Sequence, residues 1–286
     1  PTIEFVKEIG LPGSGERQFN LPSDVDVAVI GDMETGLGNL FVVDTGNNRI
    51  QRIDEDGGFV YQFGRFGSDN GNLNSPNGIA VDFNFRIYVS EKENDRVQLF
   101  DIRGNYLSDI ATGEIGYKAL YNPAGLDVDS LGNLYIADSG NDRILKFNDA
   151  GELLGNVGGF GYGLGFFDGP SDVAVDNAQY IYVADTGNNR IQKLDYDGEP
   201  IMMFGDTGFN HPQGIAVDDK FVYVSDTGND RIQIYTKEGA FVLSFGGKGY
   251  GKGEFNKPIG VAVGKKGQLY VVDTGNNRLQ ELKISY

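Results

Sequence analysis

The sequence contains no cysteine and no tryptophan, and its single histidine is His211. Without cysteine the chain cannot form disulfides, bind zinc through thiolates or use a cysteine nucleophile. One histidine also cannot supply a histidine-rich metal site. The apolar runs are no longer than a strand, so we expect no direct insertion into a membrane. These absences argue against disulfide scaffolds, zinc enzymes and membrane-spanning proteins.

Positive charge is also scarce. The chain has 24 Lys and Arg against 41 Asp and Glu, which gives a formal net charge of -17. Such an acidic chain repels nucleic acid and anionic membranes, and no run of Lys or Arg makes a basic patch. We interpret the start at Pro1 as that of a processed protein or an excised domain. With the lack of cysteine, this favours an extracellular, cell-surface or periplasmic location in a prokaryote.

Glycine is abundant, with 43 residues, and one hexapeptide recurs through the chain. The hexapeptide Asp-Thr-Gly-Asn-Asn-Arg begins at residue 44, and copies of it begin at residues 91, 138, 185, 226 and 273. A nearly fixed period of this length indicates repeated supersecondary units. The first and last residues of the five well-preserved copies are predicted to be structural; they are Asp44, Arg49, Asp138, Arg143, Asp185, Arg190, Asp226, Arg231, Asp273 and Arg278.

The third repeat shows how one unit is built. Residues 123–129 alternate apolar and polar side chains, residues 134–137 are rich in strand formers, and residues 144–147 alternate again. A hairpin turn then leads to a fourth strand at 152–157. Four short antiparallel strands per unit are typical of a β-propeller blade. We therefore predict a single all-β domain over residues 1–286, with no helical periodicity.

A proline opens each unit, and six such prolines predict six blades. The last unit stops after its third strand, whereas residues 3–9 have the pattern of a fourth strand. The N-terminal strand is therefore predicted to complete the sixth blade and close the ring, which removes the exposed ends of a linear array. The predicted blades cover residues 22–64, 76–111, 123–158, 170–205, 212–246 and 258–284 together with 3–10.

The hexapeptide, the Pro-x-Gly-Ile-Ala-Val-Asp strand before it and the Phe-Gly after it resemble NHL repeats over residues 3–284. The absence of Trp argues against WD40 repeats. The resemblance implies a propeller, often six-bladed. It also implies functions that range from binding and scaffold modules to RNA-binding domains, sensor ectodomains and a peptide-amidating lyase. The lyase uses zinc held by histidines, which this chain cannot provide, and the acidic charge disfavours RNA binding.

The repeated hexapeptide is predicted to be turn chemistry. Its Asp is expected to accept N–H bonds of the turn or to pair with an Arg of its own or a neighbouring blade. Its Gly provides a position where φ can be positive, and Asn also tolerates that region. A ring of cation-binding carboxylates is the functional alternative. The second copy has Glu93 in place of Gly, which predicts a strained or differently shaped turn. Residues 54–57 and 195–198 resemble parts of a calcium loop but are predicted to be hairpin turns.

Function is expected where the repetition fails. The loops that enter the first strands and the hexapeptide turns should share one face, here called the top face. The loop before Pro212 is shorter than the other five, which predicts a notch in this face. On the longer loops Tyr162 and Tyr250 are expected to be exposed, whereas the Phe before the following proline should pack inward. The predicted binding residues at this notch and rim are Asp206, Phe209, His211, Tyr162 and Tyr250.

An insertion at residues 31–38 should lie on the opposite face, where Met33 or Leu37 could contact a partner. A catalytic triad would have to use His211, which we predict instead to be a solvated loop residue.

We interpret the chain as a non-catalytic binding or scaffold module, monomeric and without a cofactor. It would present its top face to a protein, peptide or glycan, as the sensor or surface domain of a larger prokaryotic protein. The alternative is a calcium-dependent hydrolase or lyase with its site in the central tunnel. Six-bladed lactonases hold calcium there through Glu, Asn and Asp. The first strands show no irregular acidic cluster, and this disfavours the enzyme.

Overall fold

The computed structural model describes residues 1–28, 39–54, 56–111, 119–205 and 208–285. These residues form six four-stranded antiparallel sheets, each made of strands that follow one another along the chain. The exception is the last sheet, in which the N-terminal strand pairs with the C-terminal one. The predicted six-bladed propeller, closed by its N-terminal strand, is confirmed.

The strands of the first three blades are short and nearly equal in length. They are β4 (Asp24–Ala28), β5 (Asn39–Asp44), β6 (Arg49–Ile53) and β7 (Phe59–Phe63) in blade 1, β8 (Pro76–Val81), β9 (Ile87–Glu91), β10 (Arg96–Phe100) and β11 (Tyr106–Ala111) in blade 2, and β12 (Pro123–Val128), β13 (Leu134–Asp138), β14 (Arg143–Phe147) and β15 (Leu153–Gly158) in blade 3.

The last three blades repeat this pattern. Their strands are β16 (Asp172–Val175), β17 (Ile181–Asp185), β18 (Arg190–Leu194) and β19 (Pro200–Phe204) in blade 4, β20 (Pro212–Val217), β21 (Phe221–Asp226), β22 (Arg231–Thr236) and β23 (Phe241–Phe245) in blade 5, and β24 (Pro258–Val263), β25 (Gln268–Asp273), β26 (Arg278–Ser285) and β1 (Thr2–Ile9) in blade 6. A short parallel pair, β2 (Leu11–Pro12) and β3 (Gln18–Phe19), lies in the loop before blade 1.

The first strands of neighbouring blades contact each other around a complete ring, in which β24 meets β4. These strands line a central channel. Among the described residues the hydrophobic core is divided into six clusters, each of which joins the facing surfaces of two neighbouring blades. Second strands such as β13 are buried along their whole length and are therefore apolar almost throughout, whereas the outermost strand β15 alternates between half-buried and exposed side chains.

The hexapeptide turn links the second strand, the third strand and the entering loop of its blade, as blade 1 shows. Asp44 is fully buried and accepts a hydrogen bond from Arg49 Nε at 2.7 Å and another from the backbone N–H of Asn20 at 2.8 Å. Arg49 in turn donates to the carbonyl oxygens of Gly15 and Gln18 in the loop that enters the blade. The other blades contain the same Asp–Arg or Glu–Arg pair at 2.5–2.8 Å.

The glycine of the hexapeptide has a different role from the one predicted. Positive φ falls two residues later, at Asn48 in blade 1 and at the equivalent Asn or Asp elsewhere. The glycine is needed because the turn approaches the preceding loop closely. A Cβ on Gly46 would lie 2.7 Å from the carbonyl oxygen of Asn20, which accepts the Gly46 N–H bond at 2.8 Å. The prediction of positive φ was therefore wrong for this glycine, whereas the positive φ that Asn was expected to tolerate is observed at Asn48.

Blade 2 shows what happens when this glycine is absent. Glu93 occupies its place, and the turn bonds to the preceding loop through the N–H of Lys92 to the carbonyl of Ser75 instead. Positive φ stays at Asp95. The sequence predicted either a strained turn or a turn of different shape. The structure has the turn of different shape, because a side chain at this position could not fit so close to the backbone of the loop.

The two segments that resemble calcium loops are hairpin turns. Asp54 Oδ1 accepts the N–H groups of Asp56 and Gly58, and Asp195 Oδ1 accepts those of Asp197 and Glu199. The carboxylates thus stabilise their own turns.

Candidate functional site

The loops that enter the first strands lie beside the hexapeptide turns, as the hydrogen bond between Gly46 and Asn20 shows. Each long loop that the structure describes is fixed by a large apolar side chain that points into the core. The side chains of Phe19, Leu73, Phe167 and Phe255 are fully buried in these equivalent positions. Short parallel bridges, such as Phe160 to Phe167, also hold the loops in shape. The parts of the top-face loops that the structure describes are therefore held in a defined shape.

Several other aromatic side chains of these loops face solvent. Tyr250 is 79% exposed, Tyr162 and Phe66 are each 72% exposed, and Phe160 is 62% exposed. Phe160 and Tyr162 contact each other edge to face, with ring centroids 5.8 Å apart. The predicted exposure of Tyr162 and Tyr250 and the predicted burial of the following Phe residues are both confirmed. Large exposed aromatic side chains on ordered loops are typical anchors of protein contacts.

The residues of the short loop differ from this. Phe209 is buried and packs against Tyr235 with ring centroids 5.4 Å apart, so the prediction that it contacts a partner was wrong. Phe209 takes the place that Phe167 and Phe255 hold in longer loops, since every entering loop needs one apolar anchor. Asp206, Thr207 and the predicted insertion at 31–38 lie outside the described residues.

The side chain of His211 is exposed, and its backbone N–H makes a hydrogen bond to the neighbouring blade. Its N–H donates to Asn189 Oδ1 of the neighbouring blade at 2.7 Å, and its φ is +49°. The same bond recurs at each junction, for example from Ser75 N–H to Asn48 Oδ1. The imidazole Nδ1 lies 2.9 Å from Asn210 Oδ1. His211 is thus a loop residue whose position is set by its backbone.

The central channel holds a group of carboxyl groups that sequence reasoning missed. Asp24, Asp26, Asp127 and Asp172 belong to three first strands and line a cavity of about 130 Å³. The statement that the first strands carry no irregular acidic cluster was therefore wrong. The signal lay in the aligned first strands, where Asp24 and Asp172 replace a glycine and Asp26 and Asp127 replace an alanine of the other blades.

Each of these carboxyl groups connects two blades. Asp172 Oδ1 accepts the N–H of Val173 in its own strand at 2.9 Å, and its Oδ2 accepts the N–H of Ile215 in blade 5 at 2.8 Å. The other three carboxyl groups make the same pair of bonds to their own strand and to the first strand of the next blade. They therefore link blade 1 to blade 2, blade 3 to blade 4, and blade 4 to blade 5.

The enclosed position changes the acidity of these groups. Burial raises the pKa of Asp24 to about 8 and that of Asp127 to about 7. Burial also raises the pKa of Asp26, and it places the pKa of Asp172 well above the usual value, to which the facing charge of Asp24 adds. Low polarity and neighbouring like charges both oppose ionisation. Part of the channel group is therefore protonated near neutral pH.

Raised pKa values and occupied oxygen atoms make this channel a poor cation site. Calcium requires six to eight oxygen ligands, mostly from ionised carboxylates and carbonyls. Within the described ranges, no group of three or more His, Cys, Asp and Glu residues is arranged to hold a metal ion. In the same part of the chain, no helix has the length and hydropathy needed to cross a membrane.

Several solved structures are similar to this chain in fold. A streptogramin B lyase aligns with a TM-score of 0.66 at 15% identity over 99% of this chain and 98% of its own. A gluconolactonase from Xanthomonas campestris aligns with a TM-score of 0.69 at 16% identity over 94% and 88%. A chain of a nidogen/laminin complex aligns with a TM-score of 0.67 at 17% identity over 86% of both. At these identities the similarity shows the fold alone.

The described residues thus form an all-β propeller of six four-stranded blades, closed by the N-terminal strand. The sequence model described as the NHL repeat matches residues 120–147, 167–194, 209–235 and 255–282, which lie in blades 3 to 6. The chain is an NHL-repeat six-bladed β-propeller. No curated protein matches it in sequence.

Proposed function

We propose that this propeller is a binding module that holds a protein or peptide on its top face. The observation that carries the proposal is the exposure of Tyr162, Tyr250, Phe160 and Phe66 on loops that buried side chains hold in place. Preformed loops lose little conformational entropy on binding, and Tyr and Phe bury much apolar area per side chain. The solved nidogen/laminin complex, which contains a chain of this fold, is compatible with a protein-binding role.

A selection with a phage-displayed random peptide library on the immobilised full chain tests this proposal. Enriched peptides should bind the Tyr162→Ser/Tyr250→Ser variant at least about tenfold more weakly, because truncating two anchors removes well over 1 kcal/mol. The melting temperature should not fall, since both side chains are exposed.

The matched control is Leu107→Ser/Ile201→Ser. These two side chains are 50% and 47% exposed on fourth strands, away from the loops of the top face. This control should retain the peptide affinity of the wild type. Peptides that bind the tyrosine variant and the wild type equally, or a library that yields no binder, would contradict the proposal.

The second candidate is a calcium-dependent hydrolase or lyase with its site in the channel. The four channel carboxyl groups are the observation that favours it. Calorimetric titration of the full chain with calcium chloride separates the two candidates. Tight binding of one calcium that is lost in Asp172→Gly, which introduces the residue found at this position in four blades, would support the enzyme and count against the binding module.

A further inference from the structure

One cavity outside the channel and the top face arises from a single departure from the repeat. In every blade the fourth residue of the third strand pairs with one residue of the fourth strand, which is the third residue of that strand in blades 1 to 5 and Lys7 in blade 6. Five blades place a side chain there, and blade 3 places Gly155. These five residues are Lys7, Tyr61, Ser108, Met202 and Leu243.

Where this side chain is long, it reaches the hairpin of the next blade. Tyr61 donates its hydroxyl hydrogen to the carbonyl of Ile102 in blade 2. Met202 lies so close to the hairpin of blade 5 that a Cβ on Gly239 would be 2.7 Å from its Cε. Gly155 cannot fill the corresponding space between blades 3 and 4. A cavity of about 240 Å³ is found there.

The walls of this cavity combine apolar surface with one ammonium group. Leu154, Val157 and Ile181 provide apolar surface, and the rings of Tyr135 and Tyr196 also line it. Lys146, which pairs with Gly155, places its Nζ 3.2 Å from the centroid of the Tyr196 ring and 5.2 Å from that of Tyr135.

The ammonium group keeps donor capacity beyond its contacts in the protein. Lys146 Nζ donates one hydrogen bond to the carbonyl oxygen of Tyr196 at 3.1 Å. An ammonium has three N–H groups, so it can also donate to a ligand. Asp197 lines the cavity too, and it would favour a cation instead. Lys146 pairs directly with Gly155, whose missing side chain leaves the cavity, whereas Asp197 is an exposed residue of the hairpin. Lys146 is therefore the better placed of the two charged groups to contact a ligand.

We propose that this cavity is a binding site for a small aromatic carboxylate. The ring would lie among Leu154, Val157 and Tyr196, and the carboxylate would accept a hydrogen bond from Lys146. The site is separate from the top face, so it does not depend on the binding-module proposal. A ligand of this size should bind with a dissociation constant on the order of 1 mM or tighter.

Ligand-observed NMR with 3-phenylpropionate and the full chain tests the site. The acid should bind the wild type, while 3-phenylpropan-1-ol and 3-phenylpropylamine should bind at least about tenfold more weakly, because only the acid presents an anion to Lys146. Gly155→Met should abolish binding. A Cβ at Gly155 would lie 3.7 Å from Lys146 Cβ, which is an ordinary contact, so a side chain can start at this position and extend into the cavity.

Two further variants separate occupancy of the site from damage to the fold. Ser108→Met adds the same side chain at the equivalent position of blade 2 and should leave binding unchanged. Lys146→Met should remove the preference for the acid over the alcohol, and Lys146→Arg should restore it. Equal binding of the acid to wild type and Gly155→Met, a preference for the amine, or no binding of the acid to the wild type would each overturn the proposal.

Discussion

At the scale of single residues, the buried carboxylate of the hexapeptide accepts several hydrogen bonds at once. Asp185 accepts hydrogen bonds from Arg190 Nε at 2.6 Å, from Gln192 Nε2 at 2.9 Å and from the backbone N–H of Asp168 at 2.9 Å. Because Asp185 is fully buried, each donor would lose its partner in a dry environment if the carboxylate were removed.

Asp185→Ala is therefore expected to destabilise the protein by about 3–5 kcal/mol, since it leaves a buried guanidinium uncompensated. Chemical denaturation monitored by circular dichroism measures the effect. The control is Asp69→Ala, an exposed residue of an entering loop, which should change stability by less than about 0.5 kcal/mol. Equal stability of the two variants would show that the Asp–Arg pairs contribute little.

The sequence predicted an Asp–Arg pair as one of the alternatives and left open which blade supplies the Arg; the structure pairs the Asp with the Arg of its own turn. The sequence did not predict why the intervening glycine is required, since the close approach of Gly187 involves the carbonyl of Asp168, which lies in another segment. A local pattern shows which conformations a residue tolerates, but not which backbone passes beside it.

At the scale of elements, the first strands have two roles. They form the wall of the channel, and four of their residues hold one blade to the next through carboxyl groups. Asp127 stands where four blades have alanine, and its pKa is raised to about 7. A group whose pKa is higher in the folded than in the unfolded state binds more protons when folded. Its contribution to stability is therefore lost as the pH rises.

Asp127→Ala should consequently reduce the pH dependence of stability. The wild type should lose melting temperature between about pH 4 and pH 7 relative to this variant, because ionisation of Asp127 is opposed by burial only in the folded state. Thermal unfolding across this range measures the difference. Asp69→Ala should follow the wild type at every pH. A difference between Asp127→Ala and wild type that does not change with pH would rule out a raised pKa at Asp127.

At the scale of the whole molecule, the ring follows a twofold as well as a sixfold pattern. Blades 1 and 4 share the Ser-Asp pair that places Asp24 and Asp172 in the channel. Blades 2 and 5 share a serine, Ser90 or Ser225, whose hydroxyl donates to a carbonyl of the following blade. These two features recur three blades apart, whereas Asp26 and Asp127 have alanine at the corresponding positions three blades away.

Ring closure depends on the N-terminal strand. Seven residues of β1 pair with β26, and Ile9 is 1% exposed within the cluster that joins blades 6 and 1. Deletion of residues 1–9 should lower the melting temperature by about 10 °C or more, because it removes the buried Ile9 and the half-buried Ile3 and Phe5 and exposes a strand edge.

Differential scanning calorimetry and size-exclusion chromatography measure the melting temperature and the aggregation of the truncated chain. The control is Val6→Thr, a change of an exposed side chain at the irregularity in the same strand, which should leave both properties unchanged. A truncated protein as stable as the wild type would show that closure by β1 is dispensable.

The sequence by itself determined the number of blades, the strands within each, the closure by the N-terminal strand and the hexapeptide turn. All of these are repeated or depend on neighbours along the chain, so periodicity and local chemistry are sufficient. The tertiary structure decided that Phe209 is buried, that Asp24 and Asp172 meet in the channel, and that Gly155 leaves a cavity beside Lys146. These features depend on which residues of different blades come together, and only the closed ring brings them into contact.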